Sequence, residues 1–201
     1  MAVMKRTLSF AVLLAIVSSV FTAPGGSASA SVLSARPSVA VTAPARAATR
    51  PTLILRADGL AVRARSGRVR HLHFGATSAQ VTVAVKNVLG TGKTSQDPEC
   101  GQGPRSTYRV KGFSMLFNGK NFVGWTDQGA LGRRLAAADG TGVGITLARL
   151  RALHPKKITV VRDSLGPEFS HAGKGIDGLL NGTRRTNRVT TVFAGETCFF
   201  R

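Results

Sequence analysis

The sequence predicts an α+β protein built as two tandem units, each a short helix plus an antiparallel meander, with the two sheets joined and the helices on one face. Three observations predict it. The stretch His73 to Gly90, HFGATSAQVTVAVKNVLG, has the plan of a capped helix, and the plan returns at Gly142 to Pro155, GVGITLARLRALHP. Each stretch is followed by apolar runs bounded by Gly, Pro, Asn and Asp, the composition of strands and turns. The hairpin signal Asn118-Gly119 also has an echo at Asn181-Gly182. The offset is 69 residues between Gly75 and Gly144 and 63 between Asn118 and Asn181, which a six-residue indel in the connecting loop accounts for.

The chain begins with segments that do not belong to this fold. Lys5 and Arg6 precede an apolar run from Leu8 to Phe21, and Ala28-Ser29-Ala30 is a small-residue cleavage pattern, so residues 1–30 read as a secretory signal peptide. The run is too short to favour a membrane span, and no later stretch approaches about 18 apolar residues. Residues 31–52 are rich in Ala, Pro, Ser and Thr without an acid, which predicts a disordered leader. Residues 53–201 then form the folded domain, with repeat one at about 68–128 and repeat two at about 137–195.

Within that domain, Thr52 to Arg56 and Leu60 to Arg65 read as strands separated by the turn Ala57-Asp58-Gly59, and Arg68 to Phe74 as a third. Thr77 is the N-cap of a helix from Ser78 to Leu89, with Gln80 at the capping-box position and Gly90 as its stop. Val81, Val85, Val88 and Leu89 form one helical stripe, although Val81, Val83 and Val85 also alternate as a strand would. The second stretch decides for helix: Thr146 caps, Ile145 and Leu150 form a hydrophobic staple, Leu147, Leu150 and Leu153 share a face, and Pro155 stops it. Thr91 to Ser106 reads as a loop. Phe113 to Phe117 and Asn121 to Trp125 flank Asn118-Gly119 as a hairpin. Leu131 to Ala138 and Ile158 to Arg162 predict further strands, and Gly175 to Gly182 with Arg188 to Phe193 predicts the second hairpin.

Gly75, Thr77, Val81, Val85, Leu89 and Gly90, and in the second unit Gly144, Thr146, Leu150 and Leu153, follow a short pattern that resembles the repeat of the secreted beta-lactamase inhibitory proteins and the related BamE-type outer-membrane assembly lipoproteins. The resemblance implies a helix-then-meander fold and a scaffold that binds protein. Departures stand out: the lactamase inhibitors have a disulfide and a second helix in each repeat, whereas this chain has one cysteine in each half and no second helix to be found, and the BamE-type proteins are lipid-anchored through a cysteine this chain lacks. The chain is also similar to secreted proteins of high-GC Gram-positive bacteria through ECGxGP at Glu99 to Pro104 and the terminal GETCFFR, a likeness that implies no activity.

The charge is 28 basic against 9 acidic residues, and 26 against 9 once Lys5 and Arg6 are removed. Such an excess predicts attraction to polyanions and says nothing of fold. For an exported chain these are anionic wall polymers or acidic extracellular proteins; nucleic acid is not the expected partner. Cys100 and Cys198 are the two cysteines, and in an oxidising compartment they predict one disulfide.

No stretch carries a catalytic signature. His71 and His73 share a strand face, but a zinc site needs further ligands at recognisable spacing, so no metal site and no cofactor are assigned. Ser170, His171 and Asp177 supply the residue types of a triad without a nucleophile elbow around any serine. Glu99 and Glu196 would meet if the disulfide forms, most simply as surface acids beside arginines. Phe122 and Trp125, three apart on one strand, should face opposite ways, leaving one free for binding. Arg184, Arg185 and Arg188 lie in the turn of the second hairpin, and Arg133-Arg134 and Arg149, Arg151, Lys156 and Lys157 form further basic clusters. Trp125, Phe122, Arg184, Arg185 and Arg188 are therefore the candidate binding residues. They predict a secreted, non-enzymatic binding module for an anionic cell-wall or extracellular protein partner. An inhibitor of an extracellular enzyme and a small wall-acting hydrolase are the alternatives; the second needs a pocket where His171 or paired carboxylates converge.

Overall fold

Two helices and twelve strands are present among the described residues of the protein. The structure is a computed structural model that describes residues 50–98, 100, 103–131, 135–173 and 175–198. The predicted signal peptide, nearly all of the predicted leader, Glu99 and Arg133-Arg134 lie outside them.

The strands form two sheets. The smaller has the order β3-β2-β1-β8, from β1 (Thr52–Arg56), β2 (Gly59–Arg63), β3 (Val69–His73) and β8 (Ala136–Ala137), with β8 parallel to β1 and the other pairs antiparallel. The larger is antiparallel throughout. Its first meander runs β4 (Lys93–Asp97), β5 (Arg105–Val110), β6 (Phe113–Asn118) and β7 (Asn121–Asp127), and follows the helix α1 (Ser78–Leu89). Its second runs β9 (Ile158–Asp163), β10 (Gly166–His171), β11 (Asp177–Leu180) and β12 (Val189–Gly195), and follows α2 (Leu147–Leu153). The meanders meet where β7 pairs with β12, which makes one sheet of order β4-β5-β6-β7-β12-β11-β10-β9.

Both helices start where a threonine supplies an oxygen to an orphan backbone N–H. Thr77 Oγ1 accepts from Gln80 N at 3.4 Å, and Thr146 Oγ1 from Arg149 N at 3.2 Å. Gly90, at φ 94°, takes the left-handed conformation that ends α1. Each cap threonine also bridges to the outgoing strand of a hairpin, Thr77 to Asn121 and Thr146 to Arg188. Ser78 N donates to Lys120 O at 2.7 Å and Leu147 N to Asn187 O at 2.8 Å, so backbone of the β6–β7 turn and the β11–β12 loop satisfies helix N–H groups that α-helical pairing leaves open.

The apolar faces meet in one core. Phe113, Met115, Trp125, Phe169 and Val192 of the large sheet pack with Val81 and Val85 of α1, Leu147 and Leu150 of α2, and Leu53, Leu55, Leu60 and Leu72 of the small sheet. Trp125 Nε1 donates to Arg56 O at 3.0 Å, tying the β1–β2 turn to the large sheet.

Three expectations need correction. Thr91 to Ser106 is not a loop: Lys93–Asp97 pairs along its length with β5. Its residues KTSQD are almost all exposed, so an edge strand of this kind shows no apolar alternation for a sequence to reveal. Leu131 to Ala138 supplies a described strand only at Ala136–Ala137, and it joins the small sheet. Phe122 and Trp125 do not face opposite ways. Leu116 stands opposite Gly124 while Phe117 stands opposite Phe122, so Val123 is an extra residue on β7. One inserted residue inverts the alternation beyond it, and both rings enter the core, at 0% and 1% exposure. No helix among the described residues is long and apolar enough to cross a membrane.

Cys100 and Cys198, 98 residues apart, are bonded. Closing a loop of that size restricts the unfolded chain by about 4 to 5 kcal/mol on the chain-entropy account. Reducing the protein, or making the Cys100→Ala/Cys198→Ala pair, should lower the unfolding free energy by roughly that amount in urea titration. Far-UV circular dichroism of the folded protein should not change.

Candidate functional site

Of the expected binding residues, Phe122 and Trp125 are core and offer no surface to a partner. Arg184, Arg185 and Arg188 are exposed in the loop between β11 and β12. Two asparagines shape that loop: Asn181 Oδ1 accepts from Arg188 N at 2.7 Å and from Asn187 Nδ2 at 3.1 Å, while Asn187 Oδ1 accepts from Arg184 N at 2.8 Å. Short polar side chains that bond nearby backbone are how loops hold a conformation without a core.

The loop lies against α2. Ala148 N donates to Arg185 O at 2.9 Å, and Arg188 Nη1 donates to Gly144 O at 2.6 Å. Because these contacts fall at the start of α2, the loop arginines lie beside the end of the helix that carries Arg149. Arg149 and Arg188 line a common recess of ≈ 460 Å³ with Gly140, Gly142 and Thr146. No Asp or Glu occurs from Gly140 to Arg162 or from Gly178 to Gly195, so neither segment neutralises its own arginines.

A second feature was not visible in the sequence. A cleft of ≈ 990 Å³ is walled by the β1–β2 turn, the end of β3, the segment after β8, the end of α2 and the β10–β11 turn. Three of the four histidines of the chain line it, His73, His154 and His171, with three of its nine acids, Asp58, Asp139 and Asp177.

On one wall, Asp58 accepts two bonds from the Arg56 guanidinium, Nε to Oδ1 at 2.8 Å and Nη2 to Oδ2 at 3.1 Å, and His73 Nδ1 lies 3.1 Å from Oδ2. The Arg56 hydrogen bond holds the Asp58 carboxyl below the usual carboxylate range, against a smaller opposing effect of burial. On the other wall, Asp139 Oδ1 accepts from Thr141 N at 2.8 Å, Asp139 Oδ2 lies 3.3 Å from His154 Nε2, and Thr141 Oγ1 lies 2.7 Å from the same nitrogen. His154 stands edge-on to His171, with ring centroids 4.8 Å apart. His171 Nδ1 is buried without a hydrogen-bond partner, and the ring packs so closely on Gly175 that a side chain there would overlap it.

These contacts limit the chemistry. A triad needs the acid on one ring nitrogen of the base and the nucleophile on the other. Here Asp139 and Thr141 share His154 Nε2, and Thr141 is 2% exposed, out of a substrate's reach. Asp177 Oδ1 accepts from the His171 backbone N at 2.8 Å, not from its ring, so Ser170, His171 and Asp177 make no relay. His71 and His73 stack at 5.8 Å. No three His, Cys, Asp or Glu side chains among the described residues could hold one metal ion. Glu196 meets Arg105, which is 6% exposed, through contacts of 2.9 and 3.0 Å. That gives it an arginine partner, as the sequence suggested.

The arrangement is suited to holding a ligand. Leu55, Ala57, Phe74 and Ile176 supply apolar wall, and a few convergent polar groups over such a wall are the usual composition of a ligand pocket. Asp139 and His154 bracket the sequence DGTGVGITLARLRALH. Sequence reasoning read Gly142 to Pro155 as a capped helix and assigned no role to Asp139 or His154 at the ends of this stretch. Its Asp-Gly turn and terminal His-Pro were the signals that both ends leave the helix and turn toward the same side.

Comparison with protein-family models, with curated proteins and with solved structures finds no match.

One further acid stands outside the cleft. Asp127 is fully buried beside Phe113 and Val192, with Oδ1 accepting from Gly129 N at 2.9 Å and Oδ2 without a partner. Burial raises its carboxyl above the ordinary value, opposed by the Gly129 bond. Above its folded value the group is charged in both states, and burying that charge costs stability. As pH falls through the folded value toward the unfolded one, the folded state takes up the proton first and stability is gained. Asp127→Asn keeps the Gly129 bond and cannot titrate. Its unfolding free energy, measured by urea titration from neutral to mildly acid pH, should lack the acid-side gain of the wild type; parallel curves would contradict this.

Proposed function

We propose that the protein is a secreted, non-enzymatic binding module that holds an anionic polymer or protein at or outside the cell wall through the basic face shared by α2 and the β11–β12 loop. The observation that carries this is the docking of Arg184, Arg185 and Arg188 against the helix that presents Arg149 and Arg151, in segments without a single acid. Arginine's planar fork matches carboxylate and phosphate oxygens in pairs, which suits it to such partners.

Export is supported by the Cys100–Cys198 bond, since disulfides persist in oxidising compartments, and by the signal-like pattern of residues 1–30. In the same reading the chain is a tandem duplication of the kind found in the beta-lactamase inhibitory and BamE-type repeats. What supports this is the order helix then four-strand meander, which occurs twice, and the cap threonine of each helix bridging to the outgoing strand of a hairpin.

Retention on anionic wall fragments at low and high salt tests the proposal, because screening weakens exposed charge contacts. The wild type should be retained at low salt and released at high salt. The triple variant Arg184→Ala/Arg185→Ala/Arg188→Ala should bind about tenfold more weakly. It loses the Arg188 Nη1–Gly144 O bond but should keep its fold, since the backbone bonds of Leu147 and Ala148 to the loop and those of Asn181 and Asn187 remain. Stoichiometric capture of a protein that survives high salt and ignores these arginines would favour the inhibitor reading instead.

A further inference from the structure

We propose that the histidine-lined cleft is a binding site for a small organic cation, an amine with an apolar body. The cleft goes beyond the basic face in both position and charge. Among its described lining residues the only lysine or arginine is Arg56, set against Asp58, Asp139 and Asp177: one formal positive charge against three negative. Arg56 is itself clamped in two bonds on Asp58. The described lining of this one concavity is thus acidic in a chain of formal charge +19.

The concavity separates this from an ordinary patch of acids. Its volume falls in the range of small-molecule sites, and its walls come from six separate chain segments, the end of β12 at Gly195 included. The carboxylates are oriented before any ligand arrives: Asp139 by the Thr141 backbone N–H, Asp177 by the His171 backbone N–H, Asp58 by Arg56. Preorganised acceptors lose little freedom on binding, which is what converts a contact into affinity. His171 is fixed, with Nδ1 packed against Gly175 and its ring in edge contact with His154. Phe74, held against Phe122 at 5.1 Å between ring centroids, adds an aromatic surface, to which an ammonium group is attracted.

The cation is selected by charge and by the need to satisfy Asp139 and Asp177, which an alcohol of the same shape meets less well and a carboxylate opposes. The apolar body is selected by Leu55, Ala57 and Ile176.

Calorimetric titration of the oxidised full chain with benzylamine, benzyl alcohol and benzoate tests this. Benzylamine should bind saturably at millimolar concentration, benzyl alcohol several-fold more weakly, and benzoate not at this site. Asp139→Asn and Asp177→Asn each keep the oxygen that accepts the backbone N–H and remove one charge. Each should weaken benzylamine about three- to fivefold without changing the circular dichroism. Arg184→Ala, in the basic loop, should leave benzylamine affinity unchanged, so failure of the cleft and failure of the basic face are read separately. Equal binding of amine and alcohol, preference for benzoate, no saturable amine binding, or indifference to both Asp variants would overturn the proposal.

Discussion

The pairing of β7 with β12 is the interaction on which the rest of the molecule depends. Val192, Phe193, Ala194 and Gly195 stand opposite Asp127, Thr126, Trp125 and Gly124, and among the described residues this short ladder is where the two meanders join in the large sheet. Without it each half would have a helix and four strands, too little apolar surface to be secure alone. With it, Val192 and Ala194 continue the row of Met115 and Trp125, and one core spans both halves. The join also demands close approach. Gly124 lies so near the Glu196 carbonyl that any side chain there would overlap it, and Glu196 N donates to Val123 O at 2.9 Å, carrying the ladder on toward Cys198 and its bond to Cys100.

Both functional surfaces follow from that frame. Trp125, seated at the join, hands its indole N–H to Arg56 O and so sets the β1–β2 turn over the large sheet. The turn brings Arg56 and Asp58 over the edge where β10 and β11 present His171 and Asp177, and the cleft is the space between. The basic face forms where α2 is capped by the backbone of the β11–β12 loop. Three of the nine acids thus gather at one concavity and five arginines at one helix and loop, two surfaces of different charge composition.

What could be read from the sequence was what is local. Helix α1 was predicted from Ser78 to Leu89 and observed there, because a cap threonine, a stripe and a stop glycine all lie within a few residues of one another. The Asn118-Gly119 hairpin and β1 were legible for the same reason. β4 was not, since KTSQD owes its strand conformation to pairing with β5 and not to its own side chains. The bulge at Val123 was invisible because nothing in FVGW marks which residue is unpaired, and that one residue decided the fate of both Phe122 and Trp125. The cleft could not be read at all: Asp58, Asp139, His154 and His171 lie in separate segments of the chain, and only the fold brings them around one cleft. The exposed arginines of the β11–β12 loop were legible because a turn can hardly bury three of them.

Native-state hydrogen exchange tests most directly whether the β7–β12 ladder makes one cooperative unit of the described fold. Amides of Trp125, Asp127, Val192 and Ala194, the ones that face across the ladder, should exchange only through global unfolding, with the same free energy as the best protected amides of β6 and β10, and denaturant should release both meanders together. If the ladder amides opened at lower cost while one meander stayed protected, the halves would be separate folding units, and the account given of the shared core and the cleft would be contradicted.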